Sequence, residues 1–203
     1  EIGVKLGEGG IGERVITRKA MERGLNALRK LIQMTEKYHV DHLEIIATSG
    51  IRSAGNGPDF VNQLKELYNR NIRIISGEEE AEMIYRGVRQ AVELPSEPVL
   101  ILDIGGGSNE FIVAGNQKYH FKESYDLGIA RLLERFTPSD PIQSVEIQAV
   151  NNYLEKELSG FLERIKPYAV KTLVGCAGTF ETYRSILNYG SDDKLPRRNP
   201  STP

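Results

Sequence analysis

The stretch VLILDIGGGSNEFIV, residues 99–113, drives an apolar run into an aspartate, three glycines and a serine, then resumes apolar residues at once. Val- and Ile-rich runs on either side of such a break read as two strands flanking a tight turn. Three adjacent glycines weaken any regular element, so they need a reason. One reason is a plain hairpin turn. The other is a backbone that comes close to a ligand with several N–H groups pointing inward, an anion nest whose usual guest is phosphate. Asp103, at the end of the first strand, favours the second, because a carboxylate beside a phosphate cradle is repulsive unless a divalent cation sits between them. Gly105, Gly106, Gly107 and Ser108 are then candidate phosphate-binding residues. The segment lacks the lysine and spacer of a P-loop and runs into a strand, so it fits neither that loop nor the dinucleotide fingerprint.

Three further groups carry chemical potential. GCAGT, residues 175–179, follows a strand and opens a helix, whose free N–H groups and positive dipole end suit phosphate. Alone it reads as an ordinary strand-to-helix turn with Thr179 as N-cap; beside a second cradle, Gly178 and Thr179 become phosphate candidates. Glu78, Glu79 and Glu80 open a helix, where acidic residues complement the dipole. A general base would need one of them aimed into a cleft, and the local sequence does not choose which. Arg52 follows a buried strand in a glycine-rich loop, from which its forked donors can reach a phosphate or simply face solvent. His39 and His42 have near-metal spacing but no third ligand nearby, and read as surface.

The elements that must position these residues follow from periodicity. EIGVKLGEGGIGERVIT opens as a strand under way and passes into a glycine-rich loop. Thr17 caps a helix from Arg18 to about Tyr38, with Met21, Leu25, Leu28 and Ile32 in one stripe. Residues 43–49 form a buried strand leading into a loop, and Pro58 opens a helix with Phe60, Val61, Leu64, Leu67 and Tyr68 inward. A strand over 72–77 precedes a helix over 78–92. The Pro95-to-Pro98 break divides the chain, giving domains 1–90 and 95–203. After the hairpin come a third strand (KYHFKES), a short helix (DLGIARLLERF) and a long helix capped by Ser139-Asp-Pro141. That helix runs to about Ile165, with Val150, Leu154, Leu158, Phe161 and Ile165 on one face. The series closes with a strand, the GCAGT turn and a helix. Alternating strands and helices mean α/β, and the back-to-back strands make part of the sheet antiparallel.

Composition narrows the class. The chain has 203 residues, 39% hydrophobic and 27% charged, a globular composition. Its net charge of −2 provides no global basic field, which argues against nucleic acid as a partner. One cysteine, Cys176, excludes an internal disulfide framework and fits a reducing compartment. No apolar run approaches a membrane span and no signal-peptide pattern opens the chain, so the expectation is a cytoplasmic protein. The polar tail DDKLPRRNPSTP reads as a disordered linker.

Taken in order, ATSxxRxAxN, IISGxEEAExIYxGV, LDIGGGSNE, a serine-to-DLG segment and VGCAGTF resemble the exopolyphosphatase / guanosine pentaphosphate phosphohydrolase family, of the actin–sugar kinase–heat-shock chaperone ATPase superfamily. The match runs to about Asn188. The resemblance implies two ribonuclease-H-like domains with mixed sheets and an interdomain cleft, in which the terminal phosphate of a phosphate chain is hydrolysed with Mg²⁺. By motif position Glu80 matches the catalytic glutamate and Arg52 the arginine that contacts phosphate. Asp103, Gly105, Gly106, Gly107, Ser108 and Glu110 match the second phosphate loop and its carboxylates, with Mg²⁺ expected near Asp103 and Glu110. Gly178 and Thr179 fall in the third glycine motif. Inorganic polyphosphate and guanosine pentaphosphate are the implied substrates, and a homodimer is admitted. A non-catalytic phosphate-binding regulatory module is the rival reading. Asn109 stands where the family usually has threonine. The family's first phosphate loop is expected upstream of Glu1 and its closing strands beyond Pro203, since truncation of a central strand would expose a sheet edge.

Overall fold

The computed structural model describes residues 2–189; the polar tail lies outside the described residues. Helix α1 spans Arg18–Lys37, and the Thr17 hydroxyl accepts from Ala20 N, as its position requires. Leu25 and Ile32 are buried and Met21 and Leu28 pack beside them. The segment before it is not a strand. Residues 6–14 coil through successive turns, Ile11 N to Gly7 O and Val15 N to Gly10 O, because its glycines break apolar alternation.

Strand β1, Ile45–Ala47, is shorter than expected. The chain after it is not a loop but one helical turn, α2, Ser49–Arg52, which projects Arg52 from the strand end. Helix α3, Gly57–Tyr68, carries Pro in its first turn and buries Phe60 and Leu64. Leu67, expected inward, is 60% exposed. The inward row runs through 60, 64 and 68, and Tyr68 takes the last place against the core. Strand β2, Ile72–Ile74, pairs in parallel with β1.

Helix α4, Gly77–Ala91, starts where Ser76 Oγ accepts from Glu79 N. Its buried row, Ala81, Tyr85 and Val88, packs on Val99, Ile101, Ile112 and Ala114 of the following sheet. The division at 90–95 would group α4 with β1 and β2. Its apolar face belongs instead to the second sheet, and we place the packing boundary between β2 and α4.

That second sheet has the order β5-β4-β3-β6. Strands β3 (Val99–Ile104), β4 (Asn109–Ala114) and β5 (Tyr119–Tyr125) run antiparallel in sequence, and β6 (Leu173–Cys176) lies parallel to β3. The sheet is therefore mixed, as expected, and is separate from the β1–β2 pair. Every residue of β4 is buried because both faces are covered. Helix α4 lies on one face, and on the other Phe161 meets Phe111, Phe121 and Tyr125.

Helix α5 spans Ile129–Phe136 and α6 spans Ser144–Ile165. Ser139 does not cap α6. Gln143 does, in a capping box with Glu146, while Ser139 donates through N and Oγ to the same carboxylate at 2.9 and 2.6 Å. Of the expected α6 stripe only Phe161 is fully buried; Val150, Leu154, Leu158 and Ile165 are half-buried. Helix α7, Ala177–Leu187, follows β6 with no intervening turn. Among the described residues no helix is long and apolar enough to cross a membrane.

Candidate functional site

The glycine turn closes the β3–β4 hairpin through Gly105 N to Ser108 O, 3.0 Å. Its carbonyls all face one way. Ile129 N donates to Gly105 O at 3.0 Å and Ala130 N to Gly106 O at 2.9 Å, so the first turn of α5 is used by the glycine carbonyls. Gly107 O accepts from Arg131 Nε at 2.7 Å. Peptide planarity then turns the N–H groups away from α5. No hydrogen bond engages the N–H of Gly106, Gly107 or Ser108 among the described residues. Three unpaired donors on one short turn form an anion-accepting surface.

Close approach explains Gly105 and Gly107 better than backbone dihedrals, for none of the three glycines has positive φ, while a Cβ on Gly106 would meet open space. A Cβ on Gly107 would lie 2.8 Å from Ser49 Oγ, so α2 abuts the turn. That Ser49 hydroxyl is buried and has no partner among the described residues, and an orphan donor here is an invitation to a ligand oxygen. On the following strand, Asn109 Nδ2 donates to Leu127 O at 3.0 Å, which ties β4 to the segment leading into α5.

Carboxylates crowd the other side. Asp103 and Glu110 are direct partners across the antiparallel pair, which puts both on one face of the sheet. Glu110 is 2% exposed, and its Oε1 accepts from Ser108 Oγ and Ser124 Oγ, each at 2.7 Å. Burial pushes its carboxyl up to about 7, against the pull of those two hydroxyls, with Glu80 and Asp103 adding like charge. Burial and Glu80 likewise raise Asp103. Cys176, the register partner of Asp103 on β6, is pushed up to about 12 by burial and by these two carboxylates, so it is a thiol and no nucleophile.

Glu80 differs from its two neighbours. Glu78 is exposed, and Glu79 pairs with Arg73 at the surface. Glu80 points inward, with Oε2 2.9 Å from Arg52 Nη1, in a half-buried pair. Arg52 Nη1 also donates to Ile75 O at 3.1 Å. A Cβ on Gly77 would lie 2.4 Å from Ser124 Cβ, so α4 begins hard against β5, whose Ser124 hydroxyl donates to Glu110 on the neighbouring strand. Dipole complementation treats the three glutamates alike; tertiary packing does not.

The structure thus brings together Arg52, Glu80, Asp103, Glu110 and the turn 105–108. Gly178 and Thr179 sit at the same end of the sheet, because Asp103 and Cys176 are paired on parallel strands. Thr179 is not an N-cap: its hydroxyl donates to Ile104 O at 2.9 Å, while the cap position is Cys176. Gly178 is exposed. Ser49, Ser124 and Arg131 were missed as separate positions. A serine ending a buried strand and an arginine three residues after the DLG turn were the only signals.

The raised Glu110 carboxyl has a measurable consequence. Between pH 4.5 and about 7 the folded chain holds a proton there that the unfolded chain has released. Stability at this group is therefore highest at low pH, falls as pH rises through that window and is level above it. Denaturant titrations across the window should show Glu110→Gln with a shallower loss than the unaltered protein. Equal slopes would contradict the assignment.

What this geometry defines is an α/β protein that offers peptide N–H groups to an anion beside its own carboxylates. The chain belongs to the Ppx/GppA phosphatase family, whose model matches residues 1–196. Among solved structures it is similar to an exopolyphosphatase from Cytophaga hutchinsonii ATCC 33406, with 34% identity and a TM-score of 0.91, covering 95% of this chain and 62% of that one. A Ppx/GppA family member from Aquifex aeolicus matches at 26% identity and a TM-score of 0.69, over 93% of this chain and 60% of that one. The chain spans about three-fifths of the length of these relatives.

Proposed function

We propose that the protein carrying this chain is an exopolyphosphatase-type hydrolase that releases terminal phosphate from inorganic polyphosphate. The observation that carries this reading is the set of unpaired N–H groups at 106–108 beside Glu80, the inward member of the glutamate triplet. The exopolyphosphatase similarity supports the substrate.

In this mechanism the turn and Arg52 fix the terminal phosphoryl group, with Gly178 and Thr179 at the neighbouring strand end contributing to its surroundings. Glu80 orients the attacking water and takes its proton, while the Arg52 guanidinium holds that carboxylate in place. Positioning and charge stabilisation dominate phosphoryl transfer.

Mg²⁺ fits the residues present. Two carboxylates placed as cross-strand partners, with raised proton affinity, lack a neutralising partner among the described residues. Mg²⁺ keeps waters and substrate oxygens in its shell, so it needs only one or two carboxylates from the protein. Asp103 and Glu110 would hold it, and it would neutralise phosphate charge.

We place the protein in the cytoplasm, in keeping with free Cys176. Guanosine pentaphosphate, which the motif resemblance implies, is the second substrate in view. The test is phosphate release by the full-length protein with Mg²⁺, using polyphosphate, guanosine pentaphosphate and ATP side by side. Turnover of polyphosphate is expected. Binding without release of phosphate would overturn the hydrolase reading in favour of a regulatory module.

A further inference from the structure

The N–H side of the glycine turn serves the proposed reaction, and its carbonyl side is gripped by a residue to which that reaction assigns nothing. Arg131, in the first turn of α5, has a side chain only 13% exposed. Its guanidinium makes three divergent bonds: Nε to Gly107 O at 2.7 Å, Nη1 to Ile11 O at 3.1 Å and Nη2 to Ser53 Oγ at 2.7 Å. Asp126, half-exposed, lies 3.4 Å from Nη2. One partner is the turn; the other two belong to the loop before α1 and the residue after α2.

The same helix grips Ile11 twice, for Glu134 Oε2 accepts from Ile11 N at 3.1 Å while Arg131 takes its carbonyl. Ser53 in turn donates to Ser49 O at 2.7 Å, which links the guanidinium to the serine pressed against Gly107. We propose that Arg131 is a positioning residue for phosphate: it holds the Gly107–Ser108 peptide with the Ser108 N–H outward and ties the turn to the first part of the chain. The inference rests on the turn binding phosphate, as proposed above. Arg131 does not touch the anion. It adds a positive charge behind the turn and removes the competing carbonyl orientation.

Lysine preserves the charge but cannot make three divergent planar bonds. Arg131→Lys in the full-length protein is expected to weaken binding of inorganic phosphate by about 10-fold, the scale of one lost charge-assisted hydrogen bond. KM for polyphosphate should rise by a similar factor, with kcat within about 3-fold, since the terminal phosphate is held alike in ground and transition states. A purely structural role would lower the melting temperature without that split. Ser53→Ala, which leaves the Gly107 bond intact, should weaken phosphate binding less and in the same direction.

Wild-type phosphate affinity in folded Arg131→Lys would overturn the proposal. Should that variant fail to fold, unchanged affinity in Arg131→Gln, which also lacks the three-way guanidinium grip, overturns it equally. The two readings fail separately. A wild-type protein that binds phosphate but releases none from polyphosphate sinks the hydrolase and leaves Arg131 to be judged by affinity. One that binds no phosphate sinks both.

Discussion

Glu80→Gln in the full-length protein should lower kcat on polyphosphate by about 10²-fold or more, the scale of a lost general base. Gln keeps the size of the side chain and can still accept from Arg52 Nη1, so the 2.9 Å contact survives in neutral form. What disappears is the charge that accepts a proton from water. Substrate affinity should be unchanged or tighter, because a negative charge that already repels Asp103 and Glu110 has gone. Glu78→Gln, at an exposed position, should change kcat by less than about 2-fold, in line with a solvent-facing residue at a helix start. Steady-state kinetics of the two variants decides. Equal small effects would reduce the triplet to dipole complementation.

The second large effect should come from a residue that bears no side chain. A Cβ on Gly128 would stand 2.4 Å from both the carbonyl carbon and oxygen of Gly106, and 2.5 Å from Gly107 C. These are backbone atoms, so no rotamer change relieves the contact. Gly128→Ala must push α5 from the turn, at a cost of about 1–3 kcal/mol for overpacking. The melting temperature should fall by roughly 2–12 °C in a protein this size or somewhat larger. More telling, inorganic phosphate affinity should fall by about 10-fold or more, since the bonds from Ile129 N and Ala130 N that orient the turn would lengthen. Calorimetry on the folded variant reads both. A variant destabilised but binding phosphate as before would show that α5 does not set the N–H orientation.

Local pattern carried much of the architecture. Thr17 and the stripe through Leu25 and Ile32 announced α1, and the apolar runs around 105–108 announced the hairpin, because both signals arise from neighbours in sequence. Helix α2 was illegible because four residues are too few to show a 3.6 period. The Ser139 cap failed because Glu146, seven residues on, binds Gln143 N and Ser139 together. At the site, residue types pointed to Asp103 and the glycines and left Arg52 open, and a resemblance in motif order singled out Glu80 and Glu110. The pairing of Arg52 with Glu80 spans 28 positions. Arg131 reaches back 120 positions to Ile11. No local rule reaches contacts of that length, and they are what select one glutamate from three.

Helix α4 roots its apolar face in the β3–β4–β5 layer, yet its first turn meets Arg52, which springs from the end of β1. Glu80 is therefore rooted in the same layer as the phosphate turn. Were the β1–β2 layer to swing relative to that layer, the spacing between Glu80 and Glu110 would hold, while the Arg52 grip would loosen first. Substrate capture and water activation would then answer to the same closure: Arg52 would reach the phosphate and seat the Glu80 carboxylate in one movement.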